Sequence, residues 1–99
     1  MKETAVIVVR NCFVAKPGCA SKLAAQLKEA AVAASMPGHR VMTDLTGDFN
    51  RVVLEYEAAN VGEFEARMNE YMTNSVLREK MKGYTELWMT GSREILQLV

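Results

Sequence analysis

Residues 4 to 15 read Thr-Ala-Val-Ile-Val-Val-Arg-Asn-Cys-Phe-Val-Ala, and no other run constrains the chain as tightly. The run is rich in β-branched residues and stops at Lys16-Pro17-Gly18, so it predicts a strand closed by a breaker. Successive side chains of a strand point to opposite faces. One parity here carries Ile7, Val9, Asn11 and Phe13, and the other carries Val6, Val8, Arg10, Cys12 and Val14. Both sets are mostly apolar, which predicts a sheet covered on both faces.

What can cover them follows from the other elements. Residues 19 to 35 place Leu23, Leu27, Ala30, Ala31 and Ala34 on one helical stripe, and Pro37-Gly38 ends that helix. Residues 39 to 46 and 49 to 58 read as two strands joined at Gly47-Asp48, an antiparallel hairpin. Asn60 with Glu63 three positions on resembles a capping box, and Val61, Phe64, Met68, Tyr71 and Met72 continue at helical spacing to about Thr73. Ser75 is placed to cap a short continuation through Met81, broken by Gly83. Residues 86 to 99 predict a last strand, with a bulge or bend at Gly91.

The order is βαββαβ. It predicts one ferredoxin-like α+β domain over residues 1 to 99, with four antiparallel strands and both helices on one face. Two helices on one face leave the other face of the first strand bare. A second copy of the chain is the commonest cover for such a face, so a homodimer is expected. Hiding a sheet face gains roughly 25 cal/mol per Å² of apolar surface before association costs.

Lys plus Arg and Asp plus Glu are 12 each, so there is no basic excess to hold a nucleic acid. No apolar run approaches the ~20 residues that cross a membrane. Met1-Lys2-Glu3-Thr4 lacks the order of a secretion signal, and a cytoplasmic setting is expected. Cys12 and Cys19 fit no CxxC spacing, and one His with two separated Cys builds no metal site, so neither metal nor cofactor is expected. Gly47, Gly62 and Gly91 are isolated, which excludes a glycine-rich phosphate loop.

Three segments together resemble the dimeric α+β barrel superfamily, which includes antibiotic-biosynthesis monooxygenases, heme-degrading monooxygenases and NIPSNAP-like proteins. They are Phe13-Val14-Ala15-Lys16-Pro17-Gly18 before the first helix, Arg51-Val52-Val53-Leu54-Glu55-Tyr56-Glu57-Ala58, and the amphipathic helix around Phe64. The resemblance implies a dimeric α+β barrel that binds a hydrophobic small molecule. It also implies Asn11 as a functional amide, seven residues before Gly18. The heme-degrading members carry a Trp and a His on the second helix. Here Arg67 stands three residues after Phe64, the only Trp is Trp88 and the only His is His39, which argues against heme cleavage. The activity implied is a cofactor-independent monooxygenase on a hydrophobic or aromatic substrate. The alternative is a non-enzymatic ligand-binding or stress-response dimer of the NIPSNAP-like type.

The catalytic candidates are Asn11, Arg51 and Tyr56. Asn11 is a polar side chain in an apolar strand face and suits an oxygen or carbonyl group; otherwise it is a satisfied core amide. Arg51, like Arg10, either holds an anionic substrate or pairs across strands with a glutamate such as Glu55 or Glu94. Tyr56 offers a phenol to a reacting oxygen, or only its ring to the core. The pocket candidates are Val9, Phe13, Met42, Phe64, Met68, Tyr71, Met72 and Trp88, where the methionines supply soft, adaptable surface. His39 lies in a turn, and Cys19 at a helix start has no evident base beside it.

Overall fold

The computed structural model describes residues 7 to 99. The order of elements is β1 (Ile7–Ala15), α1 (Ala20–Ala33), β2 (Arg40–Thr43), β3 (Arg51–Ala58), α2 (Val61–Thr73), α3 (Ser75–Lys80) and β4 (Trp88–Gln97), with a 3-10 turn over Tyr84–Glu86. The reading of residues 4 to 6 as strand, and of Val6 as part of a bare face, falls outside the described residues. The four strands form one antiparallel sheet in the order β2-β3-β1-β4, the ferredoxin-like arrangement.

Register decides which parity meets the helices. In β1 the set Ile7, Val9, Asn11 and Ala15 is buried, and opposite it on β3 lie Ala58, Tyr56, Leu54 and Val52, also buried. Leu23, Leu27, Ala30 and Ala31 of α1 and Phe64 of α2 close over this face to make the core. Leu23, Val9 and Val52 are wholly enclosed. Fully burying such a side chain contributes roughly 1.5–3 kcal/mol.

The opposite face carries Val8, Cys12, Val14 and Val53, all half-buried, and a charged band across its middle. There Arg10 Nε donates to Glu55 at 2.6 Å, Arg40 Nε donates to the other Glu55 oxygen at 3.1 Å, and Arg10 reaches Glu94 at 3.5 Å. The face is therefore less oily than strand one alone implied, because register aligns Arg10 with Glu55 and Glu94. Burial pushes the Glu55 carboxyl up, but hydrogen bonds and charge from Arg10 and Arg40 outweigh it and hold the group below its ordinary 4.5.

Local chemistry sets the element ends. α1 closes with Ser35 in the left-handed region (φ 52°) and Met36 N–H donating to Ala31 O, a Schellman closure with Ser where Gly is usual. The turn after it needs Gly38: φ is +60°, and a Cβ would stand 2.7 Å from the Glu57 carboxyl carbon. β2 is shorter than the expected residues 39 to 46. At Asp44 the pairing thins to a long backbone bond, Asp44 N–H to Arg51 O at 3.4 Å, and the Asp44 side chain takes the Arg51 N–H, so residues 45 to 50 loop out and leave Leu45 and Phe49 exposed. At α2, Asn60 accepts from Glu63 N–H, and Glu63 reaches back to Ala59 N–H. The cap of α3 is Asn74 rather than Ser75: its Oδ1 accepts from Val76 N–H and Leu77 N–H.

The irregularity expected at Gly91 falls earlier. Gly91 pairs regularly with Phe13, whereas Val14 faces Thr90 and Ala15 faces Trp88, so Met89 is the extra residue. Gly91 serves close approach instead: a Cβ there would meet the Phe13 ring at 3.2 Å and Cys12 O at 3.3 Å.

Candidate functional site

The helices do not seal the sheet completely. Between the helix-side faces of β1, β3 and β4 and the helices α1, α2 and α3 lies a cavity of about 360 Å³. That is within the size range of small-molecule sites, roughly 300–1,000 Å³. β1 contributes Asn11 and Phe13, β3 contributes Leu54 and Tyr56, and α2 contributes Met68, Tyr71 and Met72. α1 supplies Leu27 and Ala30, and Met36, Leu77, Met81 and Tyr84 complete the apolar wall. Two cations reach it, Arg78 from α3 and Arg93 from β4.

The polar groups in this wall are few and specifically placed. Arg93 Nε donates to Asn11 Oδ1 at 2.6 Å, across strands paired at that position. The guanidinium also sits 5.4 Å from the centroid of the Phe64 ring, a cation–π contact. With its oxygen committed to Arg93, Asn11 turns its NH₂ toward the Tyr56 hydroxyl and keeps a second N–H for a guest. Tyr56 is buried and its hydroxyl reaches Met68 Sδ at 3.7 Å. Burial pushes the Tyr56 pKa up, so this phenol stays protonated and acts as a donor. The Tyr71 hydroxyl is buried with no hydrogen-bond partner among the described residues; Arg67, one turn earlier, does not reach bonding geometry.

Six of the sequence candidates meet here: Asn11, Tyr56, Phe13, Met68, Tyr71 and Met72. Arg51 does not. It is paired with Val14 on the opposite face of the sheet, which removes it from this cavity. Met42, paired with Val53 on edge strand β2, lies on that same opposite face and is 38% exposed. Val9 is wholly enclosed in the core and lines nothing. Phe64 and Trp88 stand one layer back. Phe64 packs on Tyr56 and beneath Arg93, and Trp88 stacks on Phe13 at 5.3 Å and on Tyr84 at 6.2 Å.

Arg93 and Arg78 are the charged wall residues the sequence did not point to. Strict alternation from Trp88 would put Arg93 on the other face from Trp88. The extra residue at Met89 flips the parity, so Trp88 and Arg93 share the helix face. No signal short of the register reveals this.

No imidazole or thiolate lines the cavity, and His39 is engaged outside it, its Nδ1 2.9 Å from Met36 O. Among the described residues no three His, Cys, Asp or Glu side chains gather as a metal site, and no helix is long and apolar enough to cross a membrane.

Neither a family model nor a curated protein matches the sequence. Solved structures do. A NIPSNAP family protein of Agrobacterium tumefaciens superposes with a TM-score of 0.84 at 13% identity, covering 100% of this chain and 90% of that one. The fold is the α+β fold of the NIPSNAP-like proteins. A NIPSNAP-like domain protein of Burkholderia xenovorans gives 0.78 at 17% identity, over 96% of this chain and 86% of that one. A putative antibiotic biosynthesis monooxygenase of Chloroflexus aurantiacus shares the NIPSNAP-like fold too, at 0.73 and 18% identity, over 96% and 94%. At these identities the likeness is one of architecture.

Proposed function

We propose that this chain binds a hydrophobic or aromatic small molecule in the cavity between sheet and helices. We further propose that it acts there as a cofactor-independent monooxygenase, as a homodimer joined through the open sheet face. The observation that carries this reading is the Asn11–Arg93 pair, an amide and a cation joined at 2.6 Å on the wall of a mostly apolar cavity of about 360 Å³.

The chemistry that suits such a wall needs no resident group. An ionised substrate, such as the enolate of an anthrone, passes an electron to O₂, and the radical pair combines at carbon. The resulting hydroperoxide loses water as its O–O bond breaks and the remaining proton leaves that carbon. A ring CH₂ becomes C=O, with one oxygen atom in the ketone and the other in water. Asn11 NH₂ is placed to donate to the peroxide oxygen, and the Tyr56 phenol is the nearby neutral donor. No carboxylate or imidazole lines the cavity, so the substrate must be acidic enough to ionise unaided. The same observation favours the second reading, a protein that holds its ligand without transforming it.

Oxygen uptake with anthrone- and quinol-type substrates separates the two. Uptake that falls at least tenfold in Asn11→Ala is expected. A cavity that binds these compounds with no uptake assigns the protein to the second reading. For the dimer, Val8, Cys12, Val14 and Val53 lie on a face that no helix covers, with Leu96 41% exposed beside them. Light scattering is expected to give twice the chain mass; a monomer at micromolar concentration overturns the pairing. The unbridged thiols Cys12 and Cys19 suit a reducing compartment such as the cytoplasm.

A further inference from the structure

We infer that the ligand of this cavity carries an ionised oxygen, a carboxylate or a phenolate, seated against Arg93 with its apolar body among the methionines. This deepens the ligand-binding reading above and rests on it.

The argument begins from charge. Arg10, Arg40 and Arg67 each face a glutamate within 4 Å. The two cations that reach the cavity, Arg78 and Arg93, have no carboxylate partner within 4 Å among the described residues. Arg93 bonds instead to a neutral amide, through Nε only, which leaves both terminal nitrogens to bond elsewhere. Arg93 is exposed, so water hydrates its guanidinium while the site is empty. No carboxylate lines the cavity to compete for it, so an anionic guest meets an unpaired cation there.

The remaining polar groups point the same way. Tyr71 presents a buried hydroxyl with no partner among the described residues, in the same cavity wall as Arg93. Asn11 offers NH₂ and Tyr56 a protonated phenol. The wall is thus rich in donors and poor in acceptors, the complement of an oxyanion. The bond to Asn11 and the cation–π contact with Phe64 hold the Arg93 guanidinium at the cavity wall, and its two terminal nitrogens match the two oxygens of a carboxylate. Met36, Met68, Met72 and Met81 line the cavity with flexible apolar surface suited to a planar ring system.

The test compares 2-naphthoate with its neutral amide, 2-naphthamide, by titration calorimetry on the full chain. Wild type is expected to bind the acid about ten- to a hundredfold more tightly, the range of one charge-assisted contact. Arg93→Met keeps the bulk of the side chain and is expected to abolish that preference while leaving the amide's affinity within about threefold. Tyr71→Phe is expected to weaken the acid alone, severalfold. A second probe needs no variant. The phenolate of 4-nitrophenol absorbs visible light and its phenol does not, so its pKa in the complex is read directly. Wild type is expected to lower it, because Arg93 favours the anion. Equal binding of acid and amide, with no lowering for 4-nitrophenol, overturns the inference while leaving the cavity a ligand site. If no probe binds at all, the ligand-binding reading falls and takes this inference with it.

Discussion

Replacing Glu55 by Gln removes one charge from the open face and changes almost nothing in shape. Glu55 is 5% exposed, but what covers it is the two arginine side chains, themselves 38% and 70% exposed. Water therefore still screens the pairs, and the values for fully buried ion pairs do not apply. Two such charge-assisted contacts on one carboxylate contribute about 1–2 kcal/mol together. For a chain of this size that corresponds to about 5–10 °C in Tm. The pH dependence gives a sharper check. The folded pKa of Glu55 lies below its ordinary 4.5, so its contribution is complete above that value and is lost as pH falls through the lowered folded pKa. Urea unfolding of wild type and Glu55→Gln at fixed protein concentration is expected to show the full difference at pH 7. As the pH falls below 4.5 and through the lowered folded value the gap should close, since a protonated Glu resembles Gln. A gap that stays constant down the whole acid limb refutes the electrostatic account and makes the loss one of packing.

The remaining predictions concern the core and a cap. Leu23→Ala, at a wholly enclosed position on α1, is expected to cost about 2–5 kcal/mol by denaturant unfolding, with the slope m unchanged. Asn74→Ala removes the acceptor for Val76 N–H and Leu77 N–H and is expected to cost about 1 kcal/mol. Hydrogen exchange should then speed up over α3 more than over β1.

The element order, the helix stripe of Leu23, Leu27, Ala30 and Ala31, and the Asn60 cap were legible because each rests on local periodicity or local hydrogen bonding. Asn11 was legible as an anomaly, one amide in an apolar face. Arg51 and Met42 were misplaced because nothing in the sequence states which parity of β3 and β2 meets the helices; that follows from pairing with β1. The length of β2 was misjudged because the Asp44 side chain, not its backbone carbonyl, takes the Arg51 N–H and ends the ladder there. Arg93 was hidden by a single inserted residue on β4, a change no alternation pattern reports.

That insertion also governs when a site of this kind can exist. The bond between Asn11 and Arg93 spans 82 positions along the chain. A ribosome emitting this polypeptide completes all three helices and three strands before the guanidinium has been made. Until β4 zips onto β1 in the one alignment its extra residue permits, the half-built pocket is a greasy trough lacking this cation. Slippage of that strand by one position would therefore spare much of the core while removing recognition.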